Sequence, residues 1–336
     1  MPNKLKKFWK SIGPGLVTGA SDDEPSAIAT YTIAGAKFGY SMLWIALFSL
    51  PLMISVQEMS ARIGRISNKG LAGNMKMHYP RWMMITIAIL IVGANTINIG
   101  ADMSGMAQAV SMIAPLPEKL TAVAITILIL GAILIFPYQK IFMVFKWLAL
   151  SLFGYIFASF TVHQDWPRVF YHLFVPTIVF SKEYLLVLMA FMGTTLSPYL
   201  FFWQANQEVE EKIIEQCKPG HICRLKPSSP EEMRAMDIDT RIGMTFSNLI
   251  TFFIITLSAA TLFRSGITHI ETLRDAAEAL RPLAGDYAYS LFAIGILSSG
   301  FLAIPVLAGS AAYVLAEVFG WTRGFNRSFT KAKEFY

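Results

Sequence analysis

Charge is what this sequence has least of. Of its 336 residues 15% are charged and 54% are hydrophobic, whereas an ordinary soluble chain carries roughly a quarter charged residues. That shortage argues against a soluble domain. Cysteine is as scarce: Cys217 and Cys223 are the only two, too few for a disulfide-stapled secreted fold. His221 lies between them, but the Cys-x5-Cys spacing fits no common zinc pattern and lacks a fourth ligand, so the pair reads as two reduced thiols in a loop. Histidine is confined to His78, His163, His172, His221 and His269, all in loops or at the ends of apolar runs. With no paired His and no His-Glu motif inside a run, a membrane-embedded hydrolase is disfavoured. Nothing points to an enzyme or to a bound cofactor. The net charge is +6, but the bases are scattered over many loops. That suits an anionic lipid surface and not a nucleic acid.

What is present is apolar length. Eight runs fall at about 12–36, 41–61, 82–113, 119–137, 141–163, 183–206, 241–263 and 287–318, several of them long enough for the roughly 20 residues that span a bilayer. The chain reads as one all-α, multi-pass transmembrane domain over 1–336. With the N-terminus in the cytoplasm, 21 of the 28 Lys and Arg fall on inside segments, and this bias sets the orientation. The expected location is the plasma (inner) membrane. Residues 208–240, with Pro227-Ser228-Ser229-Pro230, read as a solvated connector. Residues 266–283 read as a short amphipathic surface helix.

Two runs are interrupted. The first holds Gly19-Ala20-Ser21-Asp22-Asp23-Glu24-Pro25-Ser26-Ala27, and the sixth holds Gly193-Thr194-Thr195-Leu196-Ser197-Pro198-Tyr199. Backbone freed from a helix survives in a membrane only where it lines a cavity or a site. Carboxylates at that depth are functional hypotheses by default. The two runs stand five apart and point in opposite directions, the pattern of an inverted-repeat transporter with a site at the midplane. The first repeat covers about 12–163, and the second, incomplete, about 183–318. Freed carbonyls and carboxylates are ligands for hard cations. Glu24 and Asp23 would supply charge, with Asp22 a third candidate. Thr194 and Ser197 would supply neutral oxygens. The competing readings are a helix-capping cluster for the acids and hydroxyls bonding back to the preceding turn for the second break. Asp102, alone among small residues, is a candidate for a buried path. Tyr199 and Gln204 continue that path along the second half-helix. Asn95 and Asn98 can bond across helices.

These residues carry a resemblance. Gly13-Pro14-Gly15, the acidic break and Ala34-Gly35-Ala36-Lys37-Phe38-Gly39-Tyr40 resemble the first helix of the Nramp divalent-metal transporters. Thr194-Thr195-Leu196-Ser197-Pro198-Tyr199-Leu200-Phe201-Phe202-Trp203-Gln204 is more similar still to the sixth helix of the Nramp-related magnesium transporters. The resemblance covers nearly the whole chain. It implies a LeuT-type fold and alternating-access transport of a divalent metal as substrate, Mg²⁺ first and Mn²⁺ second.

Departures from the family are informative. The Asp-Pro-Gly-Asn of the transition-metal members is Glu24-Pro25-Ser26-Ala27 here, and their Met-Pro-His is Ser197-Pro198-Tyr199. Loss of the thioether removes a soft ligand that favours transition metals. Loss of that His, with Gly105 where the family has an acid, implies weak or absent proton coupling. The family has at least ten core helices and this chain shows eight. The expectation is therefore a fold completed by a partner or a missing C-terminal segment, or a non-functional fragment. A Na⁺-coupled amino-acid or amine transporter of the same fold is the alternative cargo reading.

Overall fold

The structure is a computed structural model and describes residues 13–135, 138–217, 225–270 and 272–336. All regular elements among them are helical. In chain order they are α1 (Pro14–Asp22), α2 (Pro25–Phe38), α3 (Leu43–Ser67), α4 (Leu71–Met75), α5 (Arg81–Ile113), α6 (Glu118–Ile135) and α7 (Tyr138–Ser151). Then follow α8 (Phe153–Thr161), α9 (Trp166–Phe174), α10 (Lys182–Thr195), α11 (Pro198–Gln216), α12 (Pro230–Ser258) and α13 (Leu273–Phe319).

Six stretches among the described residues are long and apolar enough to cross a membrane. The difference from eight apolar runs has local causes. A 3-10 turn, Gly39–Met42, joins α2 to α3 with little interruption, so the first two runs form one stretch from Pro25 to Ser67. Gly39 makes that junction at φ 57°, where a side chain would be strained and would also press on the Phe263 ring. The fifth run yields only a shorter apolar helix, Trp147–Thr161.

Two loop readings need correction, and one further helix has no counterpart in the sequence reading. The start of α12 lies at Pro230 and not near 241, because Ser229 and Glu232 form a reciprocal capping box. That signature, Ser-x-x-Glu after a proline-rich stretch, is readable in the sequence. Asp165 and the following Trp166-Pro167 likewise start α9, between two apolar runs. The surface helix expected at 266–283 is the first part of α13, a continuous helix of 47 residues. Ala276 and Ala277 favour helix there, and the helix continues through Pro282 and Gly285, which read as a boundary in the sequence. Cys217 is disulfide-bonded, so the reading of a free thiol does not hold for it. Cys223 and His221 lie outside the described residues.

The core is built on α1, α2, α12 and α13. Where α1 crosses α12, glycine faces glycine. Gly15 and Gly19, one turn apart, meet Gly243, and a Cβ on Gly19 would overlap the Gly243 backbone. Without water to drive association, such close backbone approach is what holds membrane helices together. The N-terminus of α1 is tied to the same partner. Its N-cap, Gly13, has no side chain, and Asp239 of α12 accepts from the Gly13 and Gly15 amides at 2.9 and 2.6 Å. Asp239→Ala is expected to lower stability by about 2 kcal/mol, the upper range for a lost cap, read as a lower melting temperature of the detergent-purified chain.

The half-helices pair in an antiparallel sense: α1 lies against α11, and α2 against α10. The half before one break therefore sits beside the half after the other, and the two breaks come level. Beyond them α3 and α11 converge on an ion-pair cluster. Buried Arg65 bonds Glu208 at 3.0 Å, Glu211 at 3.3 Å and Glu215 at 2.8 Å.

Candidate cation site

Both breaks have the same backbone. Asp23 (φ −84°, ψ 49°) and Glu24 (φ −65°, ψ 161°) precede Pro25. Leu196 (φ −111°, ψ 47°) and Ser197 (φ −71°, ψ 124°) precede Pro198. Proline explains the match. It excludes the α conformation from the residue before it, and it is itself at ease as the first residue of a new helix. Each break is thus two residues wide.

Glu24 is the hub. One carboxylate oxygen accepts from Tyr199 Oη at 3.0 Å, the other from Ser26 Oγ at 2.9 Å and Asn98 Nδ2 at 3.2 Å. Tyr199 Oη also lies 3.0 Å from the carbonyl of Ser21, one of the carbonyls freed at the end of α1. A single phenol therefore bridges the two breaks. Asp102, on α5, comes to the same place from the other side: its Oδ1 accepts from the Ser26 amide at 3.0 Å. That amide belongs to the first turn of α2, whose bare N–H groups favour an anion. Asp102 is the anion that meets it.

Asp22 and Asp23 turn elsewhere. Ser247 Oγ on α12 donates to Asp22 at 2.8 Å and lies 3.4 Å from Asp23, and Thr251 Oγ1 lies 3.4 Å from Asp23. The four carboxylates are enclosed, with exposures of 1% (Asp22), 0% (Asp23), 1% (Glu24) and 0% (Asp102). Asp22 Oδ1, Asp23 Oδ2 and Asp102 Oδ2 have no hydrogen-bond partner. Among the described residues no Lys or Arg pairs with any of the four. No three acidic, His or Cys side chains among them converge in a ready metal-binding geometry.

The second break offers oxygens whose protons are already committed. Ser197 Oγ donates back to Gly193 O or Thr194 O at 2.9 and 2.8 Å, and Thr194 Oγ1 to Phe191 O at 2.9 Å. The Ser197 hydroxyl keeps lone pairs that could meet a cation or its waters. Tyr31 approaches both Thr195, at 3.3 Å, and Thr194. Gln204 is enclosed between Thr18 Oγ1, 2.5 Å from its Oε1, and Glu208, to which its Nε2 donates at 3.0 Å. It joins α1 to α11 in this conformation. Asn95 bonds the Leu307 carbonyl of α13 at 2.9 Å and takes no part in the site. Ser26, Ser247 and Thr251 do not stand out in the sequence. The last two are four apart inside an apolar run, so their shared helix face is the available signal.

The Nramp family, described as natural resistance-associated macrophage protein-like, matches residues 15–335. Among curated relatives, the divalent metal cation transporter MntH of Caldanaerobacter subterraneus subsp. tengcongensis is 26% identical over 314 residues, covering 91% of this chain and 71% of the relative. The protein of the same name from Agrobacterium fabrum is 28% identical over 332 residues, covering 94% and 67%. Among solved structures, the Eremococcus coleocola manganese transporter in complex with an aromatic bis-isothiourea substituted compound superposes with a TM-score of 0.75 at 18% identity. That match covers 95% of this chain and 68% of the other. The chain thus spans about two thirds of the length of these relatives. Its helical architecture, with two broken helices side by side, is the LeuT-like fold of that structure. By sequence and by fold, the chain belongs to the Nramp family.

Proposed function

We propose that this chain binds a divalent metal cation and carries it across a lipid bilayer by alternating access, with Mg²⁺ the first candidate and Mn²⁺ the second. The observation that carries the reading is the set of four buried carboxylates at and beside the broken helices, with no basic side chain to balance them among the described residues. Buried charge without a partner costs several kcal/mol per ion, so a cation is the natural complement. The names of the relatives, divalent metal cation transporters and a manganese transporter, point the same way.

In this reading Glu24 and Asp102 supply charge. Tyr199, Asn98, Ser197 and Thr194 supply neutral oxygens or hold the metal's waters. An oxygen-only set suits Mg²⁺, which sheds water reluctantly. The expected orientation places the N-terminus in the cytoplasm and the chain in the plasma membrane, as one domain of two inverted repeats. The matching backbone of the two breaks supports the repeat. An amino-acid cargo is disfavoured, since its carboxylate would need the α2 amide that Asp102 already occupies.

Calorimetry on the purified chain with Mg²⁺, Mn²⁺ and Ca²⁺, beside Glu24→Ala and Asp23→Ala, tests the reading. Mg²⁺ binding that disappears with Glu24→Ala is expected. A folded chain that binds none of the three metals would sink it. Ser197→Met, which restores a thioether at the second break, is expected to raise Cd²⁺ affinity relative to Mg²⁺ by about tenfold, since soft ligands select soft metals.

Proton coupling is expected to be weak. Tyr199 stands where the family has a His. Gly105 stands where it has an acid, and a Cβ there would press on Pro25 and Leu273 at 3.1 and 3.0 Å. Proton flux that tracks metal uptake in proteoliposomes would overturn this.

A further inference from the structure

By their hydrogen bonds the four buried acids divide into two groups, and only one group bonds a residue of the second break. Glu24 and Asp102 share Ser26 between them. Asp22 and Asp23 share Ser247 of α12, with Thr251 one turn further along. On each aspartate of this second pair, one oxygen is held by a hydroxyl and the other has no partner at all. The unpartnered oxygen sits on the same carboxylate as the held one, so it lies at the α1–α12 cluster itself. Two adjacent carboxylates drawn onto one serine repel each other unless something positive lies between them. We propose that Asp22, Asp23, Ser247 and Thr251 form a second cation site, separate from the one built on Glu24, and that it takes a monovalent cation, Na⁺.

The choice of ion follows from the ligands. The set is all oxygen, which excludes soft metals. It is enclosed: Ser247 is 0% and Thr251 1% exposed, like the two aspartates. Mg²⁺ keeps several waters, for which the enclosed cluster leaves little room, and Ca²⁺ takes six to eight oxygens, which two aspartates and two hydroxyls reach only with every oxygen turned to the ion. Na⁺ gives up its water more readily. One divalent ion at Glu24 and Asp102 leaves the two negative charges of the Asp22–Asp23 pair unbalanced, and Na⁺ offsets one of them. The position has a consequence for transport. Asp22 and Asp23 lie at the end of α1, so an ion there ties α1 to α12 while the substrate ion ties it to α5 and α11. The separation from the substrate site rests on the assignment of Glu24 above, but the Na⁺ site stands on its own residues.

Binding of radiolabelled Na⁺ to the full chain purified in detergent tests it. Saturable binding is expected in the unaltered chain and in Glu24→Gln. It should be lost in Asp23→Asn and weakened about tenfold in Ser247→Ala, the milder variant, which keeps the carboxylates in place. Folding of each variant is checked by its elution profile and melting curve. A folded, unaltered chain that binds no Na⁺ overturns the proposal and leaves the pair to share a proton. Binding lost with Glu24→Gln but kept in Asp23→Asn and Ser247→Ala also overturns it, since the ion would then sit in the substrate site. Competitive displacement of Na⁺ by Mn²⁺ in Glu24→Gln overturns the monovalent assignment. A chain that binds Na⁺ but no divalent metal would refute the proposed transport function and leave this site standing.

Discussion

Glu24→Gln is expected to weaken divalent-metal binding by about 100-fold, while the chain stays folded. Removing one partner of a buried charge pair costs ~2–5 kcal/mol, and each 1.4 kcal/mol is a factor of ten in affinity. Gln has the shape of Glu and can still accept from Ser26 Oγ and meet the Tyr199 hydroxyl, so the bridge between the two breaks need not collapse. What it cannot do is supply charge. Without metal, the variant should be at least as stable as the unaltered chain, because an unbalanced buried carboxylate has been removed. With metal the order should reverse. A ligand at 100 times its dissociation constant stabilises the folded state by about 2.7 kcal/mol, and the variant should lose most of that increment. Calorimetry and melting curves with and without Mg²⁺ or Mn²⁺ read both effects. Equal metal-induced stabilisation in the two proteins would move the substrate ion away from Glu24.

Gly243→Val is expected to cost more than 3 kcal/mol, and to abolish metal binding along with the fold of α1. A Cβ on Gly243 would overlap the Gly15 carbonyl, and one on Gly19 would overlap Gly243 in return. The obstruction is backbone on both sides, which cannot rotate away as a side chain can. Overpacking of an ordinary core costs about 1–3 kcal/mol, and here the whole helix must shift. Because α1 ends in Asp22 and delivers Asp23 and Glu24, a shift of α1 displaces every acid of the first break. Gly93 and Gly100 provide the control: nothing lies within 4 Å of a Cβ at either position. Gly93→Ala should be neutral or stabilise the helix by up to about 1 kcal/mol. Melting temperature and elution profile separate these outcomes. A Gly243→Val protein that melts like the unaltered chain would mean that α1 and α12 do not pack as described.

Much of this architecture is legible in the residues themselves. Pro25 and Pro198 each announce a helix break within an apolar run, and both occur where proline physics puts them, directly after a two-residue interruption. The acids of the first break are all buried, as apolar flanks on both sides require. Other features carry local signals that stronger neighbouring ones mask. Ser229 and Glu232 form a capping box that the proline-rich look of the connector obscures. Asp165 before Trp166-Pro167 is a helix start of the same kind. The long α13 is harder, because its amphipathic first part and apolar remainder look like two objects to a reading by hydropathy.

Sequence by itself determined that the chain is helical and crosses a membrane. It also determined that two of its helices break at proline and that carboxylates are buried at one of those breaks. Each of these follows from local chemistry: apolar length, the missing amide of proline, and the cost of charge in hydrocarbon. Only the tertiary structure decided which way each acid turns. Asp22, Asp23 and Glu24 are consecutive, and at the end of a helix a change of direction at each residue aims their side chains at different neighbours. Whether those neighbours are Ser247 on α12 or Tyr199 on α11 depends on residues more than 170 positions away. The glycine contact between α1 and α12 sets that choice by bringing the two backbones together, and no local pattern around Asp22 contains it.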